Sequence, residues 1–159
     1  MPVELRPATE HDADAIAVIW EAGWRDGHLG HVPAELAALR TPETFKARTT
    51  ERIAQTTVAE VGGRVAGFVM VVGDEVEQVY VDAGHRGSGV AGILLAAAER
   101  QVADAGHPTA WLAVIPGNAR ARRFYERRGW VDDGGFGYEA AHAGGSVTVP
   151  CRRYLKEVP

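Results

Sequence analysis

The strongest chemical signal in this chain is Arg86-Gly87-Ser88-Gly89-Val90-Ala91-Gly92. These residues follow a strand-like run, Val76-Glu77-Gln78-Val79-Tyr80-Val81, and a loop, Asp82-Ala83-Gly84-His85, and they lead into an apolar stretch of helical period. Glycines at 87, 89 and 92 omit the Cβ atoms that would stand between the main chain and an anion. The unpaired N–H groups of a helix's first turn can then point at a phosphate. The segment is predicted to be an anion cradle.

The same letters spell G-x-G-x-x-G, the fingerprint of a dinucleotide-binding turn. That reading predicts a turn close to the strand end and an acidic ribose ligand about 20 residues further on. Here Asp82 to Arg86 intervene, and the expected position holds Trp111-Leu112-Ala113-Val114, none acidic. An NAD(P)- or flavin-binding oxidoreductase is therefore the weaker reading.

Read from Arg86, the segment resembles the [Q/R]-x-x-G-x-[G/A] motif of the GNAT superfamily of acyl-CoA N-acyltransferases. Further on, Asn118-Ala119-Arg120-Ala121-Arg122-Arg123-Phe124-Tyr125-Glu126-Arg127-Arg128-Gly129-Trp130 is similar to the family's N-x-x-A-x-x-x-Y-E-x-x-G-[F/W] segment. The close resemblance covers about residues 64 to 131. It implies an α+β fold with helices layered on both faces of a central mixed, mostly antiparallel sheet that splays at the strand near 76–81. It also implies acetyl transfer from acetyl-CoA to a primary amine by direct attack in a ternary complex.

Each step of that reaction has a candidate group. A primary amine of pKa ~10 must lose a proton before it attacks. Glu75 and Glu77, two apart on a strand and so on one face, are the candidate bases. Gln78 is expected on the opposite face, outside this step. The resemblance places a bulge at Val79, Tyr80 and Val81, whose freed main-chain groups would hold the pantetheine arm and the thioester oxygen, the side chains of Val79 and Val81 being core. A thiol of pKa ~8.5 leaves more readily when an acid supplies a proton. Tyr125 occupies the matching position as general acid. Asn118 matches the residue that holds the arm, and it also suits capping a helix.

Arg120, Arg122, Arg123, Arg127 and Arg128 crowd one short helix of a chain whose net charge is −4. Solvated arginines explain most such clusters, yet the resemblance sets this helix beside the coenzyme and makes Arg123 a candidate phosphate ligand. The acceptor cleft is expected from the first helices and their loop. Its candidates are Trp20, Glu21, Trp24, Asp26 and His28, with Trp24 and a carboxylate suiting a cationic, apolar amine. Both tryptophans also fit an ordinary core. His28 and His31 stand three apart with nothing to complete a metal site, so no metal is expected. Cys151, the only cysteine, is expected as a half-buried strand residue and not as a nucleophile.

The elements that must position these groups follow from periodicity. Val3 to Arg6 reads as a strand, and Thr9 caps a helix carrying Ala13, Ile16, Ala17, Trp20 and Trp24 at helical spacing. A short helix is expected near Ala34 to Leu39, and Thr41-Pro42-Glu43 opens another. Strands over Thr56 to Val61 and Arg64 to Val72 flank the turn Gly62-Gly63, and Gly73-Asp74 leads into Glu75 to Val81. A helix follows from Gly87 to about Ala105, then a strand from Trp111 to Val114, then the arginine-rich helix from Asn118 to Gly129. Beyond Trp130, glycines 134, 135, 137, 144 and 145 are expected to interrupt the last strands, placed near Gly135 to Glu139 and Val147 to Leu155.

A chain of 159 residues suits one domain, residues 1–159. The first residues lack a basic start and an apolar run, and no stretch approaches a membrane span, which points to a cytoplasmic protein without membrane contact. Acidic net charge argues against nucleic-acid binding. A homodimer is a further expectation from the resemblance. A weakly catalytic acyl-CoA sensor or partner-binding module is the main rival function.

Overall fold

The computed structural model describes residues 2–142 and 144–159. Within them, seven strands form one sheet in the order β1-β2-β3-β4-β5-β7-β6. The strands are β1 (Val3–Pro7), β2 (Thr56–Val61), β3 (Arg64–Val72), β4 (Glu75–Val81), β5 (Thr109–Val114), β6 (Val131–His142) and β7 (Gly145–Glu157). All neighbours are antiparallel except β4 and β5. The helices are α1 (Ala13–His28), α2 (Ala34–Leu39), α3 (Pro42–Arg52), α4 (Val90–Asp104) and α5 (Ala119–Arg127).

Strand alternation divides the core into two layers. On one face, Ala59, Ala66, Val69, Val76 and Leu112 pack beneath Val90, Leu94, Leu95, Ala98 and Val102 of α4. On the other, Val58, Phe68 and Met70 pack against Ile16, Trp20 and Trp24 of α1, Leu36 of α2 and Phe45 of α3. The expected layered α+β fold is therefore observed. Thr41 caps α3 by accepting from Thr44 N at 3.4 Å, with Pro42 at the first helical position. Thr9 and Asp12 form a capping box on a short 3₁₀ turn, Glu10–Asp12, that runs into α1.

Three sequence expectations are corrected. The last hairpin is long and continuous, because Val147, Val149 and Cys151 of β7 are buried at strict alternation and hold the ladder through the glycines. Its irregularity is confined to a register shift between Asp132 and Gly135. The α4 helix starts at Val90, with Gly89 as its cap, rather than at Gly87. The bulge in β4 falls earlier than expected. Met70 pairs with Gln78 and Val71 with Val76, so Glu77 is the extra residue. A bulge places consecutive residues opposite one partner, and so Gln78 joins Met70's face instead of turning away.

Candidate active site

β4 and β5 meet at one register pair, Glu75 with Trp111, supported by Trp111 N donating to Asp74 O at 3.0 Å. Beyond it the two strands part. Asp82 N donates to Ala66 O at 2.8 Å. By the alternation of an antiparallel ladder, the main-chain groups of Val79 and Val81 then point away from β3 and into the gap. Their side chains pack against the α4 layer, as expected. The gap opens into a cavity of about 510 Å³ lined by β4, β5, α5, the first three helices and the end of β6.

The cradle lies where β4 ends. Gly87 and Gly89 have φ of +78° and +88°, a backbone region that a Cβ disfavours. Gly89 thereby turns the first N–H groups of α4, those of Val90, Ala91 and Gly92, outward. The Ser88 hydroxyl donates to His85 O and holds the turn closed. Gly92 also lies against a side chain. A Cβ there would come within 2.6 Å of Arg128 Nη2, so this glycine admits the Arg128 guanidinium, which also covers the Phe124 ring at 4.1 Å. Beside the cradle, a shallower depression is lined by Asp26, Gly27, His31, Arg86, Gly117, Asn118, Ala119 and Arg120. A diphosphate suits the outward N–H groups of the helix start with Arg120 on the rim, where Arg86 is paired with Asp26 at 2.8 Å.

On the arginine-rich helix, Arg122 is structural, donating to Tyr154 Oη, Pro116 O and Asp132. Arg120 lines the depression next to Arg86, whereas Arg123 does not. Asn118 lines both cavities, and its Oδ1 accepts from Ala121 N at 3.2 Å, capping α5.

Tyr125 lines the main cavity. Burial alone pushes its phenol up to about 12, so it is protonated at neutral pH. Glu75 and Glu77 both line the cavity, but the structure separates them. Glu77 accepts two hydrogen bonds from Arg52, Nε at 3.0 Å and Nη2 at 3.2 Å. Glu75 accepts one, from Tyr138 Oη at 2.7 Å, and burial raises its carboxyl above the ordinary range. The Tyr80 side chain, read from sequence only for its main chain, is half-buried in the cavity wall, and desolvation there raises its phenol pKa.

The acceptor candidates divide. Trp20, Trp24 and His28 line the cavity, the two tryptophans as core residues and His28 stacked on Trp24 with ring centroids 5.0 Å apart. Burial lowers the His28 pKa to about 4, so the ring is neutral there. Glu21 and Asp26 are not brought to this cavity. Glu21 pairs with Arg25 along α1 at 3.2 Å, and Asp26 reaches over to Arg86 at 2.8 Å. An anionic wall for a cationic acceptor is thus not formed by α1. Cys151 also lines the cavity, with its thiol pushed up to about 11 by burial.

Sequence reasoning missed Gln78, Arg40, Arg48 and Tyr138, all of which line the cavity. A signal for Arg48 was present: Phe45, Arg48, Thr49 and Arg52 recur at helical spacing around the buried Phe45 and Thr49. Gln78 had none, since only the bulge turns it inward. Among the described residues, no helix is long and apolar enough to cross a membrane.

Comparison with known proteins adds three findings. The model of the acetyltransferase (GNAT) family matches residues 16–130. An uncharacterized N-acetyltransferase of Mycobacterium tuberculosis is 35% identical over 77 residues, 45% of this chain and 49% of that protein, so the chain spans about half the length of the curated relatives it matches. Among solved structures, a GCN5-related N-acetyltransferase (aminotransferase, class II) of Rhodopseudomonas palustris has a TM-score of 0.76 at 22% identity, over 99% of this chain and 96% of that one. The yncA protein of Salmonella typhimurium, with its cofactor acetyl-CoA, has a TM-score of 0.72 at 16% identity, over 100% and 95%. These structures are similar in fold.

Proposed function

Given that the chain belongs to the acetyltransferase (GNAT) family, we propose that it moves an acetyl group from acetyl-CoA to a primary amine by direct attack, with both substrates bound at once. The observation that carries this reading is the parting of β4 from β5 immediately before an anion cradle, with Tyr125 in the cavity between them. When bound, the thioester supplies an activated acetyl carbon. The main-chain N–H groups of Val90, Ala91 and Gly92 hold the diphosphate, with Arg86 and Arg120 on the rim. Main-chain groups of Val79 and Val81, and the Asn118 side chain, hold the amide-rich arm. One of those strand N–H groups also stabilises the negative charge that develops on the carbonyl oxygen.

Glu75 is the base. Burial brings its pKa closer to neutrality, whereas the paired Glu77 is committed to Arg52. Tyr125 donates its proton to the departing sulfur. The C–N bond forms and the C–S bond breaks. Of the two protons the ammonium loses, one ends on solvent through Glu75, and the other balances the proton Tyr125 gives to the thiol. Cys151 stays protonated and takes no part, consistent with the absence of an acyl-enzyme step in this scheme.

Incubation with acetyl-CoA and a panel of amines tests the reading. Free thiol and an acetylated product, identified by mass, are expected to appear together. Coenzyme binding without turnover of any amine would instead make the protein a sensor.

A further inference from the structure

Among the described residues, two arginines at the acceptor end of the cavity have no carboxylate partner. Arg40, between α2 and α3, is 3% exposed, and its Nη1 donates to Ala141 O at 2.8 Å while its buried Nε has no partner. Arg48 on α3 lies over the Trp20 ring at 4.3 Å, and its buried Nη1 has no partner either. The Trp20 and Phe45 rings lie against the guanidinium but leave that nitrogen unsatisfied. The two cations repel one another, and burial lowers the pKa of both.

The carboxylates of the same cavity are engaged elsewhere or exposed. Glu77 is taken by Arg52, Glu75 by Tyr138, and Glu139 by Ser146 and Thr148, while Glu51, at the cavity's edge, is exposed to solvent and pairs with neither arginine among the described residues. Buried cations left unpaired are costly, and an arginine fork matches a planar oxyanion in two hydrogen bonds.

Building on the acetyltransferase reading, we propose that the acceptor is an amine that also bears a carboxylate, an amino acid or amino-acid analogue, whose carboxylate is held by Arg40 and Arg48 while its amine faces Glu75. This reverses the cationic, apolar acceptor that the α1 tryptophans and carboxylates suggested. A neutral amine leaves both guanidinium edges dry, which disfavours it in the same way that a site built to hydrogen-bond a substrate group rejects the analogue lacking it.

The test is acetylation of free α-amino acids, each beside its own amide and its decarboxylated amine, with acetyl-CoA at saturation. For at least one amino acid, kcat/KM is expected to exceed that of its amide and amine by about 100-fold or more. In Arg48→Gln that preference is expected to shrink by at least about 10-fold, through KM for the acid, with acetyl-CoA affinity unchanged. Arg48→Lys, a point charge without the fork, is expected to restore part of it. Equal or better turnover of the amides and amines overturns the proposal, and the wild-type comparison decides this even where a variant misfolds. Acetyl-CoA binding without turnover of any amino acid overturns it too. Failure to bind acetyl-CoA would instead sink the acetyltransferase reading beneath it.

Discussion

The two ends of the gap between β4 and β5 are built by opposite means. At the proposed coenzyme end, the turn from Asp82 to Gly89 closes on its own hydrogen bonds and the start of α4 presents the main-chain N–H groups of Val90, Ala91 and Gly92. At the acceptor end, side chains from α1, α2, α3, β4 and β6 converge from across the chain. A main-chain site suits what every substrate pair would share, in the proposed reaction the diphosphate. A side-chain site can differ from relative to relative while the fold is unchanged. Structures only 16–22% identical to this chain keep its fold, and that likeness leaves the acceptor open.

This contrast can be attacked from either side. The largest effect is expected from Gly89→Asp, which sets a carboxylate beside the diphosphate in a backbone region of φ +88°. Like charges in contact cost several kcal/mol, so coenzyme A affinity in calorimetry should fall about 100-fold or more, with circular dichroism reporting a folded protein. Next comes Tyr125→Phe at the junction of the two ends. Removing the acid should lower kcat about 100-fold while leaving acetyl-CoA affinity near that of the wild type. Unchanged turnover would mean that Tyr125 is not the acid.

At the acceptor end, Glu75→Gln and Glu77→Gln separate the two carboxylates. Because burial raises the Glu75 pKa, wild-type activity should climb as pH rises through a value above the ordinary carboxylate range. Glu75→Gln should lose about 10-fold or more in kcat/KM together with that limb of the profile. Glu77→Gln should keep the limb and lose only about 1 kcal/mol of stability, from the pair with Arg52. If the limb follows Glu77 instead, the assignment of the base is reversed.

Asp12 lies outside both ends and serves as the control. Hydrogen bonds from Arg6, then burial's opposing push and the Thr9 main chain, leave its carboxyl at about 2. A depressed carboxylate contributes its stability above the unfolded pKa near ~4 and loses it as pH falls through the folded value. Asp12→Asn should therefore cost about 1–2 kcal/mol at neutral pH, a difference that vanishes in acid, with no change in coenzyme affinity.

The same contrast explains what the sequence revealed. Local signals located the glycine turn, the Asn118 cap and the strand before the turn, because each depends on residues a few positions apart. The two-layer fold was legible too, since Ile16, Trp20 and Trp24, or Leu94, Ala98 and Val102, declare their faces by spacing alone. The acceptor wall was not. Arg40 looks like an ordinary solvated arginine until α2 and α3 are docked, Arg48 shows only its place on the inner stripe of α3, and Gln78 faces the cavity only because Glu77 bulges. Asp26 was misplaced for the same reason: its partner, Arg86, is 60 residues away. The glycines after Trp130 misled because cross-strand burial, a non-local force, outweighs their weak preference for strands.

In the proposed reaction, both ends of the gap depend on the parted strands and their cradle stationing a thioester for attack by an amine. Titration of the folded protein with acetyl-CoA in a calorimeter measures that step without any acceptor present. Binding is expected at one site per chain, removed by Gly89→Asp and preserved by Tyr125→Phe. No heat from the wild type, or equal binding by Gly89→Asp, would contradict it.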